Sequence, residues 1–359
     1  MKIVSVAGAA SDVVTLAAMH RALEERADVE HVIVHTGALD DAGVGALFHE
    51  LEIPGPNRRL DVGGGPHGVE TGLIMQRVEP LLEELGPDAV LVYGASNAAL
   101  AAALVAAKRG SQVGHVEAGL RNGDHRTADG INGVVTDRLA DPLFVPSRDA
   151  IDNLGAEGVA DERVHFVGSV PIDTLCRFLP KALALDPAGG RGLAPGGYAV
   201  AALHQSPTVQ AALAELGRRL PVVDLPPSEP LGYLETLGLV ATAALVVTDS
   251  GALQEATSYL GVPCLTVGSS TDRPATCRHG TNRLVAAERG TILAAASRAL
   301  ARRAPARPVL ERWDGRAAER IVQVLCAGAA FPPDAAPAAA ATPHPDRRAA
   351  AYREPELVG

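Results

Sequence analysis

The amino-acid sequence predicts an α/β fold made of two Rossmann-like domains with a cleft between them. Short apolar segments alternate with amphipathic segments of helical length along the first 145 residues. A stretch dense in Gly and Pro at 182–197 breaks this pattern, and the alternation resumes from residue 198. Repeated β–α alternation is typical of doubly wound parallel sheets, which bind ligands at the carboxyl ends of their strands. We therefore expect a ligand site where the strand ends of the two domains face each other.

Hydrophobic periodicity predicts the elements of each half. The first half contains strand 2–7, helix 13–26, strand 31–35, helix 68–85, strand 89–93, helix 95–109, strand 112–116, helix 128–140 and strand 142–145. The second half contains strand 198–203, helix 207–219, strand 221–224, helix 231–239, strand 244–248, helix 251–259, strand 263–267 and helix 291–302.

Four segments follow from this pattern. An amino-terminal domain is expected at 1–180 and a carboxyl-terminal, nucleotide-binding domain at 195–314. A final helix is expected within 315–328, because apolar residues recur there at helical spacing. Residues 329–359 consist mainly of small and polar residues, which bury too little area to offset the entropy of ordering, so this tail is predicted to be disordered.

Composition excludes several classes of partner. The chain has 32 Lys and Arg residues against 42 Asp and Glu residues, and the net charge of −10 argues against nucleic acid as a partner. No run reaches the roughly 18 apolar residues of a membrane span, so no membrane partner is expected. The amino-terminal apolar run is too short for a signal peptide. The four cysteines lie far apart in sequence, which favours neither a metal site nor a disulfide framework and fits a cytoplasmic protein.

One strand-to-helix turn predicts a phosphate site. The apolar strand before Asp249 leads through Ser250 and Gly251 directly into a helix. The first N–H groups of such a helix are unpaired and converge on one point, where the helix dipole favours an anion. Asp249 or Ser250 is expected as the N-cap, and Gly251 lets a ligand approach the backbone. An ordinary capped helix with no ligand is the alternative interpretation.

Five motifs, including this turn, occur in one order along residues 1 to about 326. They are His115-Val116-Glu117-Ala118-Gly119-Leu120-Arg121, Glu229-Pro230-Leu231-Gly232-Tyr233-Leu234, Thr248-Asp249-Ser250-Gly251, Thr271-Asp272-Arg273-Pro274 with Gly280-Thr281-Asn282-Arg283-Leu284, and Asp314-Gly315-Arg316-Ala317-Ala318-Glu319-Arg320-Ile321. Together they resemble the non-hydrolysing UDP-N-acetylglucosamine 2-epimerases. The resemblance implies a GT-B-like fold, a substrate in the cleft, and a final helix that crosses back onto the first domain.

The resemblance also implies a reaction without nicotinamide or metal. In that family C2 of the sugar is deprotonated while UDP leaves C1, and UDP adds back to a glycal-like intermediate after reprotonation from the other face. This chemistry needs a base, an acid on the opposite face, and support for the departing diphosphate. We accordingly expect no cofactor, a UDP-sugar as substrate, and a homodimer.

Three residues are the catalytic candidates that the resemblance implies. Glu117 follows strand 112–116 and is therefore expected at the site, although a simple ion pair with Arg121 is an alternative. Asp129 is the carboxylate that remains in a shortened motif, and His204 lies at the end of a strand where the family carries a phosphate loop. The alternative for His204 is a cap on the strand end. The UDP-binding candidates are His204, Ser250, Gly251, Glu255, Arg273 and Asn282.

The chain departs from the family pattern at positions that carry charge. The family has cations or carboxylates where this chain has Ala10, Ala95, Gly130, Gly133 and Ala256. Each substitution removes a group that the family uses toward the phosphates, the moving proton or the ribose. The framework motifs are retained, so these departures concern catalysis and not the fold.

We therefore predict a divergent epimerase that interconverts UDP-GlcNAc and UDP-ManNAc with an altered set of catalytic residues. Two alternatives remain open at this point: a hydrolase or glycosyltransferase of the same fold, and a catalytically inactive nucleotide-sugar binding protein. The divergent motifs together with an Ala-rich, Arg-rich composition would suit a pathway of amino-sugar antibiotic synthesis.

Overall fold

A computed structural model describes residues 1–37, 43–124, 126–203, 206–225, 231–301 and 308–326. The strands are β1 (Lys2–Ala7), β2 (Glu30–His35), β3 (Arg58–Arg59), β4 (Ala89–Tyr93), β5 (Gln112–Val116), β6 (Leu143–Val145), β7 (Val164–Phe166), β8 (Ala199–Ala202), β9 (Val222–Asp224), β10 (Leu245–Thr248), β11 (Cys264–Val267) and β12 (Asn282–Val285). The helices are α1 (Ala10–Glu24), α2 (Val44–Glu50), α3 (His67–Leu85), α4 (Asn97–Lys108), α5 (Ala128–Leu139), α6 (Arg148–Ala156), α7 (Val170–Ala184), α8 (Pro207–Leu216), α9 (Tyr233–Thr242), α10 (Gly251–Leu260), α11 (Pro274–Arg278), α12 (Arg289–Ala301) and α13 (Ala317–Leu325).

The chain forms two compact units. The first unit consists of Met1–Phe178, Ser270–His279 and the described part of Val309–Ala329. The second unit consists of the described parts of Leu179–Ser269 and Gly280–Pro308. The segment around α11 therefore packs with the first unit, although it follows a strand of the second sheet.

The first unit is built on a seven-stranded parallel sheet in the order β3-β2-β1-β4-β5-β6-β7. Alternate residues of β1 face opposite sides of this sheet. Val4 and Val6 join the apolar core that includes α3 and α4, whereas Ser5 hydrogen-bonds through His31 to His20 of α1. Both faces of the sheet are thus covered by helices, as a parallel sheet requires.

The second unit is built on a five-stranded parallel sheet in the order β12-β11-β10-β8-β9. Its core contains alternate residues of β8 and β10 together with apolar side chains of α8 and α12. These two parallel sheets confirm the predicted fold class of two Rossmann-like α/β domains.

Most predicted elements lie within a few residues of the observed ones. Helix α1 begins at Ala10 rather than at residue 13, because the Asp12 carboxylate accepts hydrogen bonds from the Gly8 and Ala9 N–H groups and caps the helix start. The prediction did not identify α2, α6, α7, α11, β3, β7 or β12. Strands β3 and β7 have only two and three residues, too few for a period of two to be visible.

The last described helix, α13, packs against α1. Its predicted apolar stripe is buried at Ala318, Ile321 and Val322, and the Ala318 N–H donates to the Asp173 carboxylate of α7 at 2.7 Å. The helix is therefore an integral part of the first unit. The predicted disordered tail at 329–359 lies outside the described residues, and so the prediction remains untested. Within the described ranges no helix is long and apolar enough to cross a membrane.

Candidate active site

A pocket of about 130 Å³ lies in the first unit beside the carboxyl ends of β4 and β5. The pocket is lined by Gly94, Ala95, His115, Glu117, Leu120, Arg121, Asn122, Asp129, Gly130, Gly133, Asp272 and Arg273. The strand ends of a parallel sheet are where such a fold places its ligand site. The pocket therefore brings two of the catalytic candidates and one UDP-binding candidate together.

Glu117 is the first residue after β5 and has a left-handed backbone, with φ of 67°. This conformation is unusual for a residue other than Gly, Asn or Asp and is often found at functional sites. Its side chain is only 10% exposed, and Oε1 accepts a hydrogen bond from Arg273 Nη2 at 3.2 Å. The carboxylate is thus held beside a cation at the pocket wall.

Arg121 binds other carboxylates. Its guanidinium donates to Asp137 at 2.6 Å, and to both carboxylate oxygens of Glu157 at 2.8 and 2.9 Å. These contacts raise the pKa of Arg121 even though burial alone would lower it. The interpretation of Glu117 as an ion-pair partner of Arg121 therefore loses its basis, since Arg121 binds Asp137 and Glu157, and Glu117 accepts a hydrogen bond from Arg273.

Asp129 lies in the first turn of α5, where its exposed side chain borders the same pocket. Thr127 caps this helix by accepting a hydrogen bond from the Gly130 N–H at 3.0 Å. Further along α5, Asn132 donates to the Ala95 carbonyl at 3.1 Å and to Asn97 Oδ1 at 3.0 Å. These bonds join α5 to the turn after β4, so that Asp129 and Ala95 share one pocket.

Small residues form the part of the pocket wall where the family pattern has charged groups. Ala95, Gly130 and Gly133 all line the pocket. A Cβ atom at Gly133 would lie 3.4 Å from Arg121 Nη1 and 3.6 Å from Ala95 Cβ. A side chain at residue 133 would therefore extend from the pocket wall beside Arg121 and Ala95. Because Gly133 has no side chain, this part of the pocket stays open.

A buried ionic network lies behind the pocket, and the sequence analysis did not identify it. Asp137 is fully buried on α5 and contacts His115 Nδ1 at 2.6 Å, while His115 Nε2 donates to the Gly94 carbonyl at 2.7 Å. Burial acts to raise the pKa of Asp137, but the contacts with His115 and Arg121 outweigh it and hold the pKa below its usual value. His115 therefore links Asp137 of α5 to the turn after β4.

The second unit contains the predicted phosphate turn. Ser250 is the N-cap of α10, and its side chain makes no capping hydrogen bond with the helix. The Ser250 N–H donates to Thr248 Oγ1 at 3.0 Å, which fixes the turn. The first-turn N–H groups of α10, beginning at Gly251, thus donate no hydrogen bond to the Ser250 hydroxyl, an arrangement that an anion can use.

Two other UDP-binding candidates lie inside the second unit. Glu255 on α10 is 1% exposed. Asn282 is also buried, and its amide donates to the Gln254 carbonyl at 3.2 Å while its Oδ1 accepts from Thr257 at 3.0 Å. Asn282 therefore joins β12 to α10, and a ligand role for either residue stays a prediction. His204 lies outside the described residues.

Comparisons with known proteins agree on one family. The model of the UDP-N-acetylglucosamine 2-epimerase family matches residues 21–191 and 191–326. The chain is 33% identical over 335 residues to the UDP-2,3-diacetamido-2,3-dideoxy-D-glucuronate 2-epimerase of Pseudomonas aeruginosa, with 84% of this chain and 92% of that protein covered. It is 30% identical over 372 residues to the UDP-N-acetylglucosamine 2-epimerase of Methanocaldococcus jannaschii, with coverage of 91% and 100%.

Solved structures show the same likeness. The crystal structure of the Methanocaldococcus jannaschii UDP-GlcNAc 2-epimerase in complex with UDP-GlcNAc and UDP has a TM-score of 0.83 and 29% identity, covering 91% of this chain and 100% of that one. The Neisseria meningitidis UDP-GlcNAc 2-epimerase bound to UDP-GlcNAc has a TM-score of 0.82 at 22% identity, with coverage of 90% and 99%, and shows the fold alone. These matches confirm the predicted GT-B-like fold class.

Proposed function

Because this chain belongs to the UDP-N-acetylglucosamine 2-epimerase family, we propose that it inverts C2 of a UDP-linked 2-acetamido sugar by eliminating and re-adding UDP. The observation that carries the proposal is Glu117, a carboxylate held in a left-handed conformation at a strand end, against a guanidinium and facing a pocket. A base that removes a carbon-bound proton needs this combination of shelter, fixed orientation and access to the substrate.

In the first step Glu117 takes the C2 proton. The C2–H electron pair forms the C1=C2 double bond, and the C1–O pair leaves with the diphosphate of UDP. In the second step a proton is added to C2 from the opposite face, and a diphosphate oxygen re-forms the bond to C1. We assign the opposite face to Asp129, which borders the same pocket from α5. The hydrogen bond from Arg273 holds the Glu117 carboxylate in one orientation for the first step.

The leaving diphosphate is assigned to the start of α10. Ser250 offers a hydroxyl that is not used for capping, and Gly251 begins a helix whose dipole favours negative charge. His204 belongs to the same proposal as a phosphate contact and proton carrier. Charge that develops on the diphosphate as C1–O breaks would be stabilised there, as in other preorganised anion sites.

The sugar itself has two candidates. UDP-GlcNAc is the substrate named for the Methanocaldococcus jannaschii relative, and a diacetamido glucuronate is the one named for the Pseudomonas aeruginosa relative. The small wall residues Ala95 and Gly133 favour a sugar with an additional substituent. We also propose that the protein acts in an amino-sugar antibiotic pathway. It would do so as a homodimer in the cytoplasm.

An NMR time course in D₂O tests this function. The purified protein is incubated separately with UDP-GlcNAc and with UDP-2,3-diacetamido-2,3-dideoxy-glucuronate. Formation of the C2 epimer with deuterium at C2 supports epimerisation, since the carbon-bound proton must exchange in this mechanism. Free UDP with released sugar would identify a hydrolase, transfer only with an added acceptor would identify a glycosyltransferase, and binding without turnover would identify an inactive binding protein.

A further inference from the structure

The loop from His115 to Arg121 converges on a single buried carboxylate. Asp137 is contacted by His115 Nδ1 at 2.6 Å, and it accepts hydrogen bonds from the Gly119 N–H at 3.1 Å and from Arg121 Nη2 at 2.6 Å. One side-chain contact thus precedes Glu117 in sequence, and one main-chain and one side-chain donor follow it. Asp137 therefore fixes the loop on both sides of Glu117.

Glu117 has the backbone conformation that needs such support. Its φ of 67° is disfavoured for a residue with a Cβ atom, and it persists only where the surroundings determine it. Neighbouring main chain also contributes, because the Ala118 N–H donates to the Phe144 carbonyl at 3.1 Å and Asn153 donates to the Gly119 carbonyl at 2.9 Å. Both of these contacts lie on the carboxyl-terminal side of Glu117, whereas the preceding His115 side chain is held by Asp137 and by the Gly94 carbonyl.

The ionised Asp137 also couples this loop to the rest of the pocket. The His115 ring, which contacts Asp137 through Nδ1, donates from Nε2 to the carbonyl of Gly94 at 2.7 Å. Asp137 itself belongs to α5, the helix that carries Asp129 at the pocket. One carboxylate thus joins the base, the turn after β4 and the helix of the second carboxylate.

We propose that Asp137 is a positioning residue for the reaction: it does not face the pocket, but holds the loop in which Glu117 reaches the sugar. This inference rests on the proposed function, since it takes Glu117 to be the base. It predicts that loss of the Asp137 charge lets the backbone of Glu117 relax to negative φ and moves its carboxylate off Arg273.

Steady-state kinetics of Asp137→Asn separate positioning from general stability. A base displaced by about 1 Å lowers kcat by about 100-fold while KM changes by less than about threefold. The matched control is Asp173→Asn, because Asp173 is another buried carboxylate of the first unit that binds helix N–H groups, and it lies outside the pocket lining. The control should keep kcat within about threefold. An equal kcat loss in both variants, or a rise in KM with kcat retained, would overturn the proposal.

A crystal structure of Asp137→Asn provides a readout that does not depend on activity. We expect negative φ at Glu117 and a broken contact with Arg273, and an unchanged Glu117 would overturn the proposal. If the wild-type protein epimerises neither sugar, the proposed function fails, whereas this crystallographic test still decides whether Asp137 positions Glu117. Should Asp137→Asn not fold, Arg121→Gln removes one of the three loop contacts, and the same two readouts apply with a kcat loss of about tenfold expected.

Discussion

Arg273 Nη2 donates to Glu117 Oε1 at 3.2 Å, and this bond joins two segments that are 156 residues apart in the chain. The arginine comes from the segment before α11, and the glutamate from the end of β5. Neither side chain is more than 14% exposed. The bond gives the Glu117 carboxylate a fixed direction at the pocket, and it makes Glu117 the first residue to test.

Replacing Glu117 with Gln keeps the shape of the side chain but removes the basic oxygen. Turnover should fall by about 100-fold or more, because a general base typically contributes at least this factor. UDP affinity should hardly change. Initial rates by NMR and UDP titration by calorimetry measure the two effects. The matched control is Glu311→Gln, which removes a surface carboxylate paired with Arg148 and should leave turnover unaltered. Full turnover in Glu117→Gln would exclude it as the base.

Replacing Ser250 with Ala should weaken UDP binding by about 1 kcal/mol, the usual contribution of one hydrogen bond. Fold stability should stay nearly constant, since the Ser250 hydroxyl makes no capping bond. Ser206 is the comparison in the same unit, because its hydroxyl does accept from the Val209 N–H at 3.3 Å. Ser206→Ala should therefore lose about 1 kcal/mol of stability. Calorimetry that gives equal UDP affinity for wild type and Ser250→Ala would remove the serine from the diphosphate site.

Asp173 should make the stability of the protein depend on pH. Burial raises the pKa of its carboxyl to about 7, against bonds from the Ala318 and Ala317 N–H groups that lower it. Because the unfolded chain has the ordinary value of 3.8, the folded state binds more protons between about pH 4 and pH 7. Stability from this group is therefore present at pH 4 and lost as the pH rises to 7, by up to about 4 kcal/mol.

Urea unfolding at intervals from pH 4 to pH 8 measures this effect in wild type and in Asp173→Asn. The variant cannot ionise at residue 173, so its stability should fall less over the same range. Asp152→Asn on the exposed side of α6 is the control and should follow the wild-type curve. Parallel curves for wild type and Asp173→Asn would show that Asp173 does not titrate in this range.

The final helix should contribute strongly to stability. Ile321 of α13 is fully buried in the first unit, and Ile→Ala at such a site costs about 2–5 kcal/mol. The half-buried Gln323 on the same helix serves as the control, and Gln323→Ala should cost less than about 1 kcal/mol. A truncation after Phe331 should leave the melting temperature unchanged, whereas one before Gly315 should lower it sharply. Equal melting temperatures of both truncations would mean that α13 is dispensable.

The alternating pattern of apolar segments was enough to predict the fold class, and most helices and strands with it. Periodicity reports burial directly, so β4 at Ala89–Tyr93 and β5 at Gln112–Val116 coincide with their predicted ranges. The sequence also predicted the turn at Ser250 and the position of Glu117 after a strand, because strand ends and helix starts have characteristic local residue patterns.

Only the tertiary structure determined which side chains distant in sequence contact one another. Local spacing suggested Arg121 as the cation for Glu117, but the fold brings Arg273 to Glu117 and directs Arg121 to Asp137 and Glu157. Nothing in the local sequence marks Asp137, since an aspartate on an amphipathic helix is ordinarily solvated. Its role arises because burial removes water, and a buried carboxylate must then take its hydrogen bonds from whichever groups the fold supplies.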